Sequence, residues 1–341
     1  MSVPNPSRSF EGLGAVPGSG RSLSGSADYS ALVDVVLLGG AFVQGGCSSR
    51  CEFESCGVLA ADRAAGHHQG KSTVMKPPSR DDFHEFTVAE YLNSTQTSTV
   101  DPPLPVHSTL GVNFLKIIRS GRIQATKCTV FKGEKLSYLF IGRPSYKKPG
   151  PNTQVLNWML PVVFILRGLK DLPIKRIFPL DTGALATNRL PEYLSVFDRD
   201  MFFLGADPAQ IGRIIASFYE TADRYMSGES LSISEIRRQV HIDIRHAAIQ
   251  ALIALHGERS LPELDDRGRN IEVQVAADIP LDGNVIGVVA PDAYRREGQT
   301  EAHFNAMGAV VEFYNVHPMN ASSHFGQVYD AVDKIMKAHS P

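Results

Sequence analysis

The chain has 341 residues, 43% hydrophobic and 21% charged, with a formal net charge of −2, the composition of one large globular domain or two modest ones. Its longest apolar stretch, Ala31 to Val43, is broken by Asp34 and a glycine pair, well short of the roughly 20 apolar residues a membrane-spanning helix needs. No basic n-region joins a small-residue cleavage site at the start, so the expectation is a cytoplasmic protein with no membrane partner.

Charge is distributed unevenly. Residues 101–190 hold 14 Lys/Arg against 4 Asp/Glu, a net +10, between an N-terminal part at −3 and a C-terminal part at −9. A basic segment in an acidic chain suits an anionic ligand, either a dinucleotide or a nucleic-acid backbone. It also suits a fold in which the acidic part covers the basic one.

Residues 1–80 predict a disordered or low-complexity tail. They are rich in Gly, Ser and Ala, start with Pro4, Pro6 and Pro17, close on Pro77 and Pro78, and carry no sustained period. Met75 offers an alternative start that would leave this tail out of the natural product. Cys47, Cys51 and Cys56 fall here with His67 and His68, but the spacing C-x3-C-x4-C matches no zinc knuckle or finger, and no metal is expected. Ala65 to Ser72 fits the loosest phosphate-loop pattern. It lacks a buried strand before it, and Pro77 stops any helix after it.

Residues 81–341 predict one folded domain. Phe114, Leu115, Ile117 and Ile118 give an apolar face to a helix over Asn113–Ser120, with Gly121 as its C-cap glycine. Strands are expected at Leu136–Ile141, Val162–Leu166 and Arg176–Leu180, the last closed by Asp181 and Gly183. A helical insertion over about 190–260 contains two helices, Pro208–Met226 and Ser232–Leu255, and a polar loop follows at Ser260–Asn270. Strand character returns at Ile271–Val275, where Glu272 and Gln274 alternate with apolar residues. It recurs at Val285–Val289 and Val310–Val316, before a terminal helix over Phe325–Ala338. Strands on both sides of a helical block, without regular strand–helix alternation, argue for α+β.

Three pieces carry candidate chemistry: His107-Ser108-Thr109 before the first helix, Tyr138 on a strand followed by Gly142, Arg143 and Tyr146, and Glu272 on a late strand. Each has a plain structural reading. His107 can be a hydrogen-bonded histidine near a helix start, Tyr138 a core aromatic, and Glu272 an outward-pointing residue of a half-buried strand.

Their order resembles the His-Tyr-Glu branch of the ADP-ribosyltransferase superfamily: His-x-Thr, a short helix and Gly; a strand Tyr with a second Tyr soon after; a Glu on a late strand. Val162–Leu185 and Ile271–Leu281 are similar to stretches of the DarT-type DNA ADP-ribosyltransferases. The resemblance spans about residues 104–290. It implies a split β-sheet core, NAD as substrate, Glu272, His107 and Tyr138 as catalytic residues, and His107, Ser108, Thr109, Tyr138, Gly142, Arg143 and Tyr146 as dinucleotide contacts. It implies a toxin or defence enzyme, with nucleic acid preferred to protein as acceptor. NAD hydrolysis without an acceptor and NAD-dependent removal of an RNA 2′-phosphate are alternatives within enzymes. A non-catalytic nucleic-acid- or partner-binding protein is the alternative of another class. Asn270 departs from the pattern: branches that modify protein side chains often carry Gln or Glu two residues before the catalytic Glu.

Overall fold

Thr87 opens the first helix, α1 (Val88–Ser94), with a reciprocal cap: its hydroxyl accepts from the Glu90 N–H at 3.2 Å, and the Glu90 carboxylate accepts from the Thr87 N–H at 2.8 Å. The structure is a computed structural model that describes residues 83–95, 98–146, 156–257, 266–296, 300–317 and 324–339. The expected tail, its three cysteines and the phosphate-loop-like pattern lie outside these residues.

In chain order there follow β1 (Pro105–Leu110), α2 (Gly111–Ser120), β2 (Arg122–Ile123), β3 (Thr126–Lys127), β4 (Lys135–Ile141), β5 (Pro161–Leu166), β6 (Ile174–Phe178) and α3 (Thr182–Ala186). Four helices come next: α4 (Ala209–Tyr219), α5 (Ala222–Ser227), α6 (Ile233–Gln239) and α7 (Ala247–Gly257). The chain returns to strands with β7 (Glu272–Val275), β8 (Ile279–Pro280) and β9 (Val285–Pro291). It finishes with α8 (Ala293–Arg296), α9 (Thr300–Ala306), β10 (Val310–Tyr314) and α10 (His324–His339).

The main sheet runs β10-β9-β5-β1-β4-β7-β6, with β3 also on β4, and β2 pairs with β8 apart from it. All these pairings are antiparallel except β9 with β10, which are parallel and joined through α8 and α9. The fold is therefore mixed α+β, as the sequence predicts.

Near its centre the sheet is split. β1 pairs with β5 from Val106↔Ile165 to Leu110↔Pro161, but with β4 only at Pro105↔Ile141 and Val106↔Phe140. Beyond Val106 the two strands part, and β3 takes the place of β1 beside the start of β4 (Thr126↔Leu136, Lys127↔Lys135). Two apolar layers hold the halves. Leu139, Phe164, Ile177, Val273 and Val275 join the core that includes Phe114 of α2, Phe304 of α9 and the apolar faces of α4 and α7. Val106, Val163, Ile165 and Val289 on the other side pack under Val328, Val332, Ile335 and Met336 of α10.

His107 lies on strand β1, which runs directly into α2, in keeping with its expected place before a helix. Two expectations are corrected. The single helix expected over Pro208–Met226 is two, broken at Glu220, whose φ of 71° lies in the left-handed region, with Thr221 capping α5. Ser232–Leu255 also divides into α6 and α7. Between them Asp243 turns back to bind the Arg245 guanidinium at 2.6 Å, a local side-chain turn that competes with helix continuation.

Candidate active site

Residues of β7 alternate as expected, Val273 and Val275 toward the apolar core and Glu272 and Gln274 away from it, but the second face is covered too. Glu272 is 1% exposed and Gln274 is fully buried, so the outward-pointing carboxylate of the plain reading is replaced by a buried one. Buried polar groups require partners, and Glu272 has three. Its Oε2 accepts from the Thr182 N–H at 3.0 Å; its Oε1 accepts from the Thr182 hydroxyl at 2.8 Å and from Gln274 Nε2 at 2.6 Å. Thr182 opens α3, and Asp181 caps that helix by accepting from the Ala184 N–H at 2.6 Å. Burial above all, and then the charge of Asp181, raise the Glu272 pKa to about 8, against the downward pull of the Gln274 and Thr182 hydrogen bonds.

The orientation of Gln274 is fixed from outside. Arg176 on β6 donates to Gln274 Oε1 at 3.0 Å, and a guanidinium has only donors. The carbonyl of Gln274 therefore faces Arg176 and its amide nitrogen faces Glu272. Arg176 is itself held by a two-pronged contact with Glu134, at 2.8 and 2.6 Å. Four residues thus form one chain of bonds ending at the carboxylate.

Tyr138 pairs with Gln274 across β4 and β7, so its ring shares the Glu272 face. Its hydroxyl lies 2.7 Å from Cys128 Sγ. Burial, the Cys128 bond and the Glu272 charge all push its pKa well above the usual tyrosine range.

His107 sits at the split. Because Val106 pairs with Phe140, and Phe140 with Glu272, strand alternation puts Val106 and Ser108 on the Glu272 face and His107 and Thr109 on the opposite one. His107 Nδ1 lies 2.9 Å from the Tyr138 carbonyl. A carbonyl only accepts, so Nδ1 carries the proton. Burial lowers the His107 pKa, opposed by that bond, which leaves Nε2 of the neutral ring as an acceptor.

The remaining sequence candidates are engaged in packing near this point. The Ser108 hydroxyl accepts from the Ser145 N–H at 3.0 Å, and the Thr109 hydroxyl accepts from Asn113 Nδ2 at 3.1 Å. Gly142 turns with a φ of 68°. Arg143 is 8% exposed, donates to the Arg269 carbonyl and lies 4.3 Å from the Tyr225 ring centroid. Tyr146 is 6% exposed, in the core under α10. The structure thus brings Tyr138 and Glu272 together and ties His107 to the Tyr138 backbone.

Sequence reasoning missed Asp181, Thr182, Arg176 and Gln274 as parts of the site. Gln274 was recoverable, since alternation puts it on the same face as Glu272. Thr182 reaches Glu272 across 90 residues and Arg176 reaches Gln274 across 98, separations that no local pattern encodes. Among the described residues no group of three or more His, Cys, Asp or Glu is placed to hold a metal ion. Compared with known proteins, the sequence matches no family model and no curated protein.

Proposed function

We propose that the chain is an NAD-dependent ADP-ribosyltransferase in which Glu272 is the catalytic carboxylate. The observation that carries the reading is that carboxylate: buried, held by three hydrogen bonds, and beside Tyr138 in a sheet split at His107. The reaction breaks the bond between nicotinamide nitrogen and ribose C1′, and the bonding pair leaves with nicotinamide. Positive charge grows on the ribose as in glycoside cleavage. A fixed carboxylate stabilises that charge more than it stabilises the ground state, and an acceptor nucleophile then closes on C1′.

In this reading Tyr138 stacks on nicotinamide. Where β1 and β4 part, the bare Nε2 of His107 accepts a ribose hydroxyl through the opening between the two faces, with Thr109 on its own face, while Ser108, with Gly142 and Tyr146, forms a packed wall on the Glu272 side. Arg143 has no carboxylate partner among the described residues, so it contributes positive field toward the pyrophosphate from behind that wall. A nucleic-acid acceptor is favoured over protein because Lys127 and Lys135 are exposed and directly opposed across β3 and β4. Such like-charge pairing is destabilising unless an anion lies over it.

The test is nicotinamide release from NAD by the wild type and by Glu272→Gln, with labelled ADP-ribose followed into oligonucleotides and into protein. Release is expected in the wild type and a loss of at least about a hundredfold in the variant. Release without transfer would point to NAD hydrolysis. No release with DNA, RNA or protein present defeats the enzyme reading and favours a non-catalytic binding protein.

A further inference from the structure

Arg176, on the Glu272 face through its pairing with Gln274, heads a cluster of cations without enough acid to match it. Lys175 Nζ is 2.9 Å from Glu134, the carboxylate already gripped by Arg176. That one acid serves two cations, and the Arg176 and Lys175 hydrogen bonds draw its pKa down to about 2. Arg199, in the helical turn Arg199–Phe202, adds a third. Its guanidinium carbon is 4.2 Å from the centroid of the Phe131 ring, and that of Arg176 is 4.1 Å from the same centroid. One aromatic ring thus holds together two groups that repel each other.

Arg199 has little to neutralise it. Among the described residues its one ion pair is with Asp200, at 4.0 Å, and the Asp200 side chain is 89% exposed. Its Nε is buried without a hydrogen-bond partner. The cluster is also close to the carboxylate. Arg176 reaches Glu272 through Gln274, and the Phe131 ring lies 6.1 Å from that of Phe178, the β6 residue paired with Glu272. Arg143, by contrast, is packed away at 8% exposure, while the Arg199 side chain is 35% exposed and can meet a ligand directly.

We infer that Arg199, with Arg176 beside it over Phe131, forms a subsite for a phosphate oxyanion of the substrate bound at Glu272. A guanidinium fork matches phosphate geometry, and its contact is stronger than that of a neutral donor. The inference rests on the ADP-ribosyl reading only for the identity of that substrate. The oxyanion belongs either to the dinucleotide or to a phosphodiester of the acceptor strand, and the two are separable.

The experiment compares full-length wild type, Arg199→Gln and Arg199→Lys. Calorimetric titrations with inorganic pyrophosphate, ADP-ribose and a short single-stranded oligonucleotide are run beside steady-state KM values for NAD and for oligonucleotide. Arg199→Gln is expected to weaken oxyanion binding by about tenfold, with Arg199→Lys between it and the wild type. Weakened ADP-ribose binding with a raised KM for NAD assigns the dinucleotide. Weakened oligonucleotide binding with a raised KM for oligonucleotide alone assigns the acceptor. Equal affinities and KM values in wild type and Arg199→Gln, or a wild type that binds none of the three probes, overturn the subsite. Should the wild type release no nicotinamide, the enzyme reading falls, and the three titrations still decide the subsite.

Discussion

At the scale of the residue, Glu272 sets stability against chemistry. Its folded pKa of about 8 lies above the ordinary 4.5, so the folded protein holds a proton that the unfolded chain releases. The contribution is most favourable below the unfolded value and is lost as pH rises through the folded one. Thermal or denaturant unfolding of the wild type should therefore show stability falling between about pH 5 and 8, at up to about 1.4 kcal/mol per pH unit. Glu272→Gln should flatten that slope. On the proposed function, nicotinamide release should run the other way, rising with pH through the same range, because that reading requires the ionised carboxylate. A wild type whose stability is level from pH 5 to 8 would show that Glu272 keeps its ordinary acidity.

At the scale of the element, what could be read from the chain follows from how local each cause is. Gly121 ends α2 at a φ of 66°, as a glycine after an apolar helical face predicts. The continuous run Val162–Leu166 is the buried core of β5. The break at Glu220 has a weaker sign, the N-cap residue Thr221 after it; nothing calls for a left-handed residue at 220 itself, where tertiary packing overrides the propensity of a continuous helical pattern. Within the candidate site, Glu272 and Tyr138 were legible as residue types on strands, whereas the covering of Glu272 by α3 came only with the fold. The turn leaving β4 is the element most sensitive to a single methyl group. At Gly142 an added Cβ would collide with Met226 Sδ and lie 2.9 Å from Pro103 Cβ, at a φ of 68°. Gly142→Ala should cost about 2–3 kcal/mol in chemical denaturation; an unchanged midpoint would mean that this turn relaxes freely.

At the scale of the molecule, the described residues belong to one unit, Val74–Pro341, with apolar layers on both sides of its sheet. Val332 on α10 and Leu252 on α7 are both fully buried and belong to different layers. Val332→Ala and Leu252→Ala should each destabilise by about 2–4 kcal/mol. The double variant should lose their sum to within about 0.5 kcal/mol, as independent sites do. Strong coupling in that double-mutant cycle would show that the layers respond as one.

The seam at Pro105↔Ile141 and Val106↔Phe140 has a mechanical meaning as well. So few backbone bonds cross there that the angle between the half-sheets is set by side chains: Phe164 on one side and Leu139, Ile177 and Val273 on the other share one close-packed core, which does not deform smoothly. The gap beyond Val106 is thus a fixed window in the sheet, with the bond from His107 Nδ1 to the Tyr138 carbonyl as its crossbar.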